Sequence, residues 1–183
     1  MTAISINKIL IANRGEIARR IMRTCREMGI ATVAVCSEVD RDALFVRESD
    51  EVVPLAGLAP GQAYLDVEAV VEAARKTGCD AIHPGYGFLS ENPALARTCQ
   101  HSGIAFIGPP ADVIEAMGSK IAAKRMLTGA DVPLLPSVEV GSQGAERVLR
   151  QAESLGWPLM IKASAGGGGR GMRIVREASQ FAA

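Results

Sequence analysis

Apolar residues recur along this chain in two periods, and the periods alternate. Residues 8–12 (Lys-Ile-Leu-Ile-Ala) form a short apolar run with polar flanks, the pattern of a buried strand. Asn13-Arg14-Gly15 reads as a turn. From Glu16 the spacing changes. Ile17, Ile21, Cys25 and Met28 recur at helical intervals with Ala18 and Met22 beside them, while Arg19, Arg20, Arg23 and Glu27 take the opposite side. Gly29 predicts the helix stop, and the valine-rich run 31–36 predicts a second strand. A strand–helix–strand unit of this kind pairs its strands in parallel.

The pattern repeats. Residues 51–55 predict a strand. Asp66 predicts an N-cap, and Val67, Val70, Val71 and Ala74 supply the apolar stripe of a helix that Gly78 ends. Residues 79–82 predict a strand, and Asn92-Pro93 a capped helix running to about Ser102. Residues 105–108 predict a last strand. Strands alternating with helices imply an α/β fold with a doubly wound, mostly parallel sheet over residues 1–110. After Pro109-Pro110 the pattern differs. Residues 111–117 and 119–128 predict short helices, 132–141 an extended segment, and 143–155 a helix with Ala145, Val148, Leu149 and Ala152 on one face. Residues 159–164 and 171–176 predict two strands joined by a glycine-rich connection, and 178–183 the start of something helical. The expected division is therefore 1–110 and 111–183.

Composition sharpens this reading. The 183 residues are 48% hydrophobic and 22% charged, as expected for a folded chain. Twenty basic and 20 acidic residues give zero formal charge, which disfavours bulk capture of nucleic acid or anionic membrane. Four Phe, two Tyr and one Trp leave little material for base stacking. The four cysteines show no C-x-x-C spacing and lie in apolar stretches, so buried reduced thiols are expected. With two histidines, a His-rich metal site is not available. The N-terminal residues lack a signal-peptide pattern, and no run approaches the ~20 apolar residues that cross a bilayer, so a cytoplasmic protein is expected.

The densest candidate chemistry lies at 164–172, Ser-Ala-Gly-Gly-Gly-Gly-Arg-Gly-Met. Four consecutive glycines cost backbone entropy that a simple hairpin turn does not require. They suit a lid, or a backbone that approaches a ligand closely enough for its N–H groups to cradle phosphate oxygens. Gly166, Gly168 and Gly171 satisfy G-x-G-x-x-G, but a strand rather than a helix follows, which argues against dinucleotide binding. A P-loop would need Gly-Lys-Ser/Thr, and the chain has Arg170-Gly171. A ligand-free loop is the plain alternative. Alternation along 159–164 puts Met160, Lys162 and Ser164 on one face. Lys162 either snorkels from an edge strand or points toward phosphates beside the loop. Lys120 falls in the first turn of a helix, where the dipole disfavours a cation. It is either solvated or paired with an anion.

The turns at the C-terminal ends of the parallel strands are where open α/β sheets bind ligands. Residues 83–92, His-Pro-Gly-Tyr-Gly-Phe-Leu-Ser-Glu-Asn, form the richest of them. Gly85 and Gly87 bracket Tyr86, either as ordinary turn chemistry or as a rigid loop presenting Tyr86 and backbone amides to a substrate. Glu91 can serve the following helix N-terminus.

Together these stretches resemble biotin carboxylase, the ATP-grasp component of the biotin-dependent carboxylases. The matching segments are Lys8-Ile-Leu-Ile-Ala-Asn-Arg-Gly-Glu-Ile-Ala18, Asp40-Arg-Asp42, 81–92, Phe106-Ile-Gly-Pro109, Met117-Gly-Ser-Lys120 and 161–172. The resemblance covers essentially the whole chain and implies a biotin carboxylase N-terminal, Rossmann-like domain followed by the start of an ATP-grasp domain. It implies a ligase that phosphorylates bicarbonate with MgATP and passes the carboxyl group to biotin on a carrier protein or domain, with a carboxyltransferase as further partner. ATP would be bound by Lys120, Lys162, the lid Gly166, Gly167, Gly168 and Gly169, and Met172. His83, Tyr86, Gly87 and Glu91 would line the biotin side of the crevice. Arg23 and Glu27 match a region of family dimer contacts. The family's enzyme is much longer, and its Mg²⁺-binding glutamates and catalytic arginine fall outside these residues. No catalytic or metal residue is therefore expected within the chain, and the chain alone is expected to be inert. Another ATP-grasp ligase, or a non-catalytic module binding nucleotide or a partner, is the alternative.

Overall fold

The computed structural model describes residues 5–55, 60–141, 144–163 and 171–181. The chain divides into two compact units, Met1–Glu115 and Ala116–Ala183.

In the first unit the apolar runs become strands β1 (Lys8–Ile11), β2 (Ala31–Cys36), β3 (Glu51–Pro54), β4 (Ala81–His83) and β5 (Ala105–Phe106). They form one sheet in the order β3-β2-β1-β4-β5, and every neighbouring pair is parallel. Helices α1 (Gly15–Glu27), α2 (Leu44–Glu48), α3 (Pro60–Ala63), α4 (Val67–Lys76) and α5 (Pro93–His101) accompany it.

A parallel sheet is covered on both faces, so its inner strands read as continuous apolar runs rather than alternating ones. Successive side chains then feed two cores. Leu10, Val33, Val35 and Ile82 pack with Val70 and Ala74 of α4 and with Leu95 and Cys99 of α5. Ile9, Ile11, Ala34, Cys36 and Ala81 pack with Ala18, Met22 and Cys25 of α1 and with Phe45 of α2. Asp66 caps α4 by accepting from Ala69 N at 2.9 Å, and Asn92 caps α5 by accepting from Ala94 N at 2.9 Å. All four cysteines are free and buried. Burial raises their thiol pKa values, that of Cys99 to about 11. Among the described residues no helix is long and apolar enough to cross a membrane.

Several details depart from the periodicity. The buried stripe of α1 is Ala18, Met22 and Cys25; Ile17 and Ile21 are half-buried. Met28 is 67% exposed because the helix has ended and Met28 is its C-cap. β4 begins at Ala81 rather than at Cys79, since the Cys79 amide is spent on the Ala74 carbonyl at the end of α4 (2.9 Å). β5 shortens to two residues. Helices α2 and α3 were not expected. Each is about one turn, and α2 buries only Phe45, too little for a period to register.

In the second unit, α7 (Lys120–Leu127) follows α6 (Ala111–Gly118), which begins in the first. Ser119 caps α7 by accepting from Ala122 N at 3.3 Å. Segment 132–141 has no regular structure and is tied to α7. Lys124 Nζ donates to Leu135 O at 2.9 Å and Ser137 Oγ at 2.7 Å, and Arg125 pairs with Glu139. Helix α8 (Ala145–Leu155) buries Val148 and Ala152. Strands β6 (Leu159–Lys162) and β7 (Met172–Val175) form an antiparallel hairpin.

Central and edge strands should respond differently to truncation. Leu10→Ala, in the fully buried centre of β1, should cost about 2–5 kcal/mol. Val52→Ala, on the exposed edge strand, should cost less than about 1 kcal/mol. Urea unfolding of the two variants checks this, and equal losses would contradict the sheet order.

Candidate functional site

The strand order reverses between β1 and β4. From β1 the chain moves outward to β2 and β3, then returns to the other side of β1 as β4. Beyond the carboxyl ends of such a pair of strands the connections diverge and leave a crevice. Ile11 and His83 are register partners at those ends, and Ala12 N donates to His83 O at 2.9 Å.

Asn13 sits at this point and is fully buried. Its Nδ2 donates to Pro84 O at 2.8 Å and to Tyr86 O at 2.9 Å, while its Oδ1 accepts from Arg14 N at 2.9 Å. One side chain leaving β1 thus sets the backbone path of the loop leaving β4. A buried carboxamide left without these partners would be costly. The loop backbone requires it as well. Gly85 has φ +66°, and a Cβ there would lie 2.6 Å from Asn13 Nδ2 and 2.8 Å from Ile17 Cγ2. Glycine is thus fixed at 85 both by backbone conformation and by close approach.

His83 is half-buried, and its Nδ1 accepts from Gly85 N at 3.0 Å. The imidazole is therefore neutral with its proton on Nε2, and burial lowers its pKa. Tyr86 is 57% exposed at the rim, and its hydroxyl donates to Glu16 Oε1 at 2.5 Å, across from the first turn of α1. That bond raises the phenol pKa. Gly87 has φ +69°, and Phe88 has φ +42°, a left-handed conformation rare for a residue with a Cβ. Leu89, 1% exposed, anchors the loop in the core. Glu91 is exposed and precedes the α5 cap.

Behind Asn13 and this loop lies a second polar cluster. Asp40 is 5% exposed and accepts from Arg14 Nε at 2.8 Å, Arg14 Nη2, Ser37 Oγ at 3.1 Å and Tyr64 OH at 2.6 Å. Burial alone would raise the Asp40 pKa, but the bonds from Arg14, Tyr64 and Ser37 outweigh it and hold the carboxyl below its ordinary value. Burial and the bond to Asp40 push Tyr64 up to about 12. The Tyr64 ring meets Phe88, with centroids 5.2 Å apart.

The residues assigned from sequence fall into separate groups. His83, Tyr86, Gly87 and Glu91 share the crevice loop of the first unit. Arg23 and Glu27 lie one turn apart on the exposed side of α1. In the second unit Lys162 and Met172 are direct cross-strand partners, both exposed, at the end of the hairpin next to the glycine-rich connection. Ala163 N donates to Gly171 O at 3.0 Å just beyond them. Gly166–Gly169 lie outside the described residues. Lys120 is the first residue of α7. Among the described residues no three His, Cys, Asp or Glu side chains converge as a metal site. Sequence reasoning gave no role to Asn13, Glu16, Asp40 or Phe88, although each falls in a segment that carries the resemblance, and it did not single out Tyr64.

Two consequences follow for this loop. Gly85→Ala adds both φ strain and overlap with Asn13, for about 2–5 kcal/mol by urea unfolding; a neutral outcome would contradict the Asn13 contact. His83 has a lowered pKa, so its contribution is present above the unfolded value near 6.5 and declines as pH falls below it. Protonation at Nδ1 also ends acceptance from Gly85. Amide exchange at Gly85, corrected for intrinsic pH dependence, should accelerate only as pH falls below about 6.5 in the native chain, whereas His83→Gln should show no such step.

Residues 5–114 match the family described as biotin carboxylase, N-terminal domain, and residues 119–183 match the carbamoyl-phosphate synthase L chain, ATP binding domain. A pyruvate carboxylase subunit of Methanothermobacter thermautotrophicus is 52% identical over 96% of this chain and 36% of its own length. The biotin carboxylase of Halalkalibacterium halodurans is 51% identical over 92% of this chain and 37% of its own length. Among solved structures, the Campylobacter jejuni biotin carboxylase–beta-gamma-ATP complex superposes with a TM-score of 0.92 at 41% identity, over 99% of this chain and 41% of that one. The biotin carboxylase domain dimer of Hydrogenobacter thermophilus 2-oxoglutarate carboxylase, in complex with MgADP, ADP and bicarbonate, gives 0.89 at 45% identity, over 97% of this chain and 39% of that one. The chain spans 36% and 37% of the lengths of the two curated relatives. A doubly wound parallel sheet with its glycine-bracketed loop at the switch point, matched over residues 5–114, places this chain in the biotin carboxylase family.

Proposed function

We propose that the chain forms the N-terminal part of the biotin carboxylase component of a biotin-dependent carboxylase, with residues 1–110 as the N-terminal domain and 111–183 as the start of the ATP-grasp domain. The observation that carries this reading is the 83–92 loop, held at the switch point by Asn13, in a chain about half identical to biotin carboxylases. The reaction joins bicarbonate to the γ-phosphoryl group of ATP with release of ADP. The carboxyl carbon of the resulting carboxyphosphate is then attacked by N1′ of carrier-bound biotin as phosphate leaves and takes up the N1′ proton.

Such chemistry needs positioning and neutralisation of phosphate charge rather than a covalent protein intermediate. Lys162 and Lys120 supply cations, Gly166–Gly169 supply backbone N–H donors, and Met172, opposite Lys162, lies against the base of the nucleotide. The exposed Lys162–Met172 pair fits this division, one polar and one apolar contact side by side next to the glycine-rich connection. Tyr86 and Gly87, with His83 and Glu91 on the same loop, form the wall facing biotin. Mg²⁺ would be held by carboxylates outside these residues. Arg23 and Glu27, exposed one turn apart on α1, form the contact with a second copy that the family resemblance implies. The partners are a biotin carrier protein or domain and a carboxyltransferase, and the four buried reduced thiols suit the cytoplasm.

The test joins these 183 residues to the remainder of the Halalkalibacterium halodurans biotin carboxylase. ADP release should depend on bicarbonate and increase with free biotin, whereas the 183 residues alone should give none. Lys162→Gln should raise the KM for ATP about 10–100-fold, the size of a lost charge-assisted bond, and leave the KM for biotin unchanged. A folded, ATP-hydrolysing chimera indifferent to biotin would overturn the reading.

A further inference from the structure

Two separate supports of the 83–92 loop lead back to the same carboxylate. The first runs through Asn13. Its Nδ2 fixes the carbonyls of Pro84 and Tyr86, its Oδ1 is held by the Arg14 amide, and the Arg14 guanidinium is bound by Asp40. The second runs through Tyr64. Its hydroxyl donates to Asp40 at 2.6 Å and accepts from Ser37 N at 3.2 Å, and its ring, 1% exposed, meets the Phe88 ring at 5.2 Å. The Arg14 guanidinium also stands 5.8 Å from the centre of the Tyr64 ring, so the two supports brace each other.

Phe88 is where this arrangement departs from ordinary loop construction. Its φ of +42° costs free energy for any residue with a Cβ, and such strain persists only where the surroundings hold it. A loop that merely connected β4 to α5 could use glycine at this position, as it does at 85 and 87. Phe88 instead provides the ring that Tyr64 grips, two residues from the exposed Tyr86. Asp40 thereby sets the backbone on both sides of Tyr86 without reaching the crevice itself.

We propose that Asp40, acting through Tyr64 on Phe88 and through Arg14 on Asn13, is a positioning residue that holds the Tyr86–Gly87 wall of the crevice in its biotin-accepting conformation. This rests on the assignment of that wall to biotin made above. The plain alternative is that Asp40 only staples the turns after β1 and β2 together. A stabilising staple lowers thermal stability without discriminating between substrates, and a positioning residue discriminates.

The experiment uses the chimera with Asp40→Asn and Tyr64→Phe. Tyr64→Phe keeps the ring on Phe88 and removes only the hydroxyl, so it remains informative if Asp40→Asn fails to fold. Each variant should raise the KM for biotin about fivefold or more, the effect of one lost positioning hydrogen bond, with the KM for ATP within about twofold of the parent. The double variant should be little worse than Asp40→Asn, because both changes break one chain of contacts. In the 183-residue chain, amide exchange should accelerate at Gly85 and Ser90, whose N–H groups are bonded within the loop, and not in the 159–175 hairpin. Equal changes in both KM values, or unchanged kinetics with a lowered Tm, would overturn the proposal. A parent chimera with no biotin response would instead overturn the function proposed above, a result distinguishable because it precedes any substitution.

Discussion

The first unit turns on a buried amide at the point where the strand order reverses. Asn13 leaves β1 with no solvent contact and spends both N–H groups on the loop leaving β4. An asparagine in that position has few other ways to satisfy its polar atoms, and leaving them unpaired would cost more than the bonds return. The loop is thereby forced close to β1, close enough that only glycine fits at 85. The sheet supplies the rest. Parallel pairing of β1 with β4 brings Ile11 level with His83, so the turns on either side start from a fixed separation. A crevice wall built this way is rigid because hydrogen bonds and close contacts determine it from two strands at once.

The crevice loop of the first unit and the hairpin of the second present different chemistry. The crevice loop carries one exposed aromatic, Tyr86, whose hydroxyl is already engaged by Glu16, and a strained Phe88 whose ring is held from behind. The hairpin carries an exposed lysine directly opposite an exposed methionine. A cation beside a polarisable apolar chain suits a ligand with a charged end and a flat apolar end. The proposed division places biotin at the loop and nucleotide at the hairpin, and the exposed lysine–methionine pair is compatible with its second half.

Much of this was legible in the sequence, and the illegible remainder has physical causes. The inner strands were visible because a parallel sheet is covered on both faces and leaves unbroken apolar runs. The caps at Asp66 and Asn92 were visible because they depend on local spacing. α2 was invisible because a single buried Phe45 makes no period. Asp40 was invisible as a buried group because hydropathy assigns a carboxylate to solvent; only the convergence of nearby Ser37 with Arg14 and Tyr64, both distant in sequence, makes its burial tolerable. The crevice loop stood out through its glycines, but the reason for Gly85 lay in Asn13, more than 70 residues earlier in the chain, and no local pattern encodes that. Tyr64 gave no signal because its partner Phe88 follows a turn and a separate helix.

The most direct measurement is hydrogen exchange of the chimera in the presence of each ligand alone. Saturating biotin should slow exchange in residues 83–92 and leave 159–175 unchanged, whereas MgATP should slow 159–175 and leave 83–92 unchanged. Protection of the hairpin by biotin, or of the crevice loop by nucleotide alone, would contradict the account.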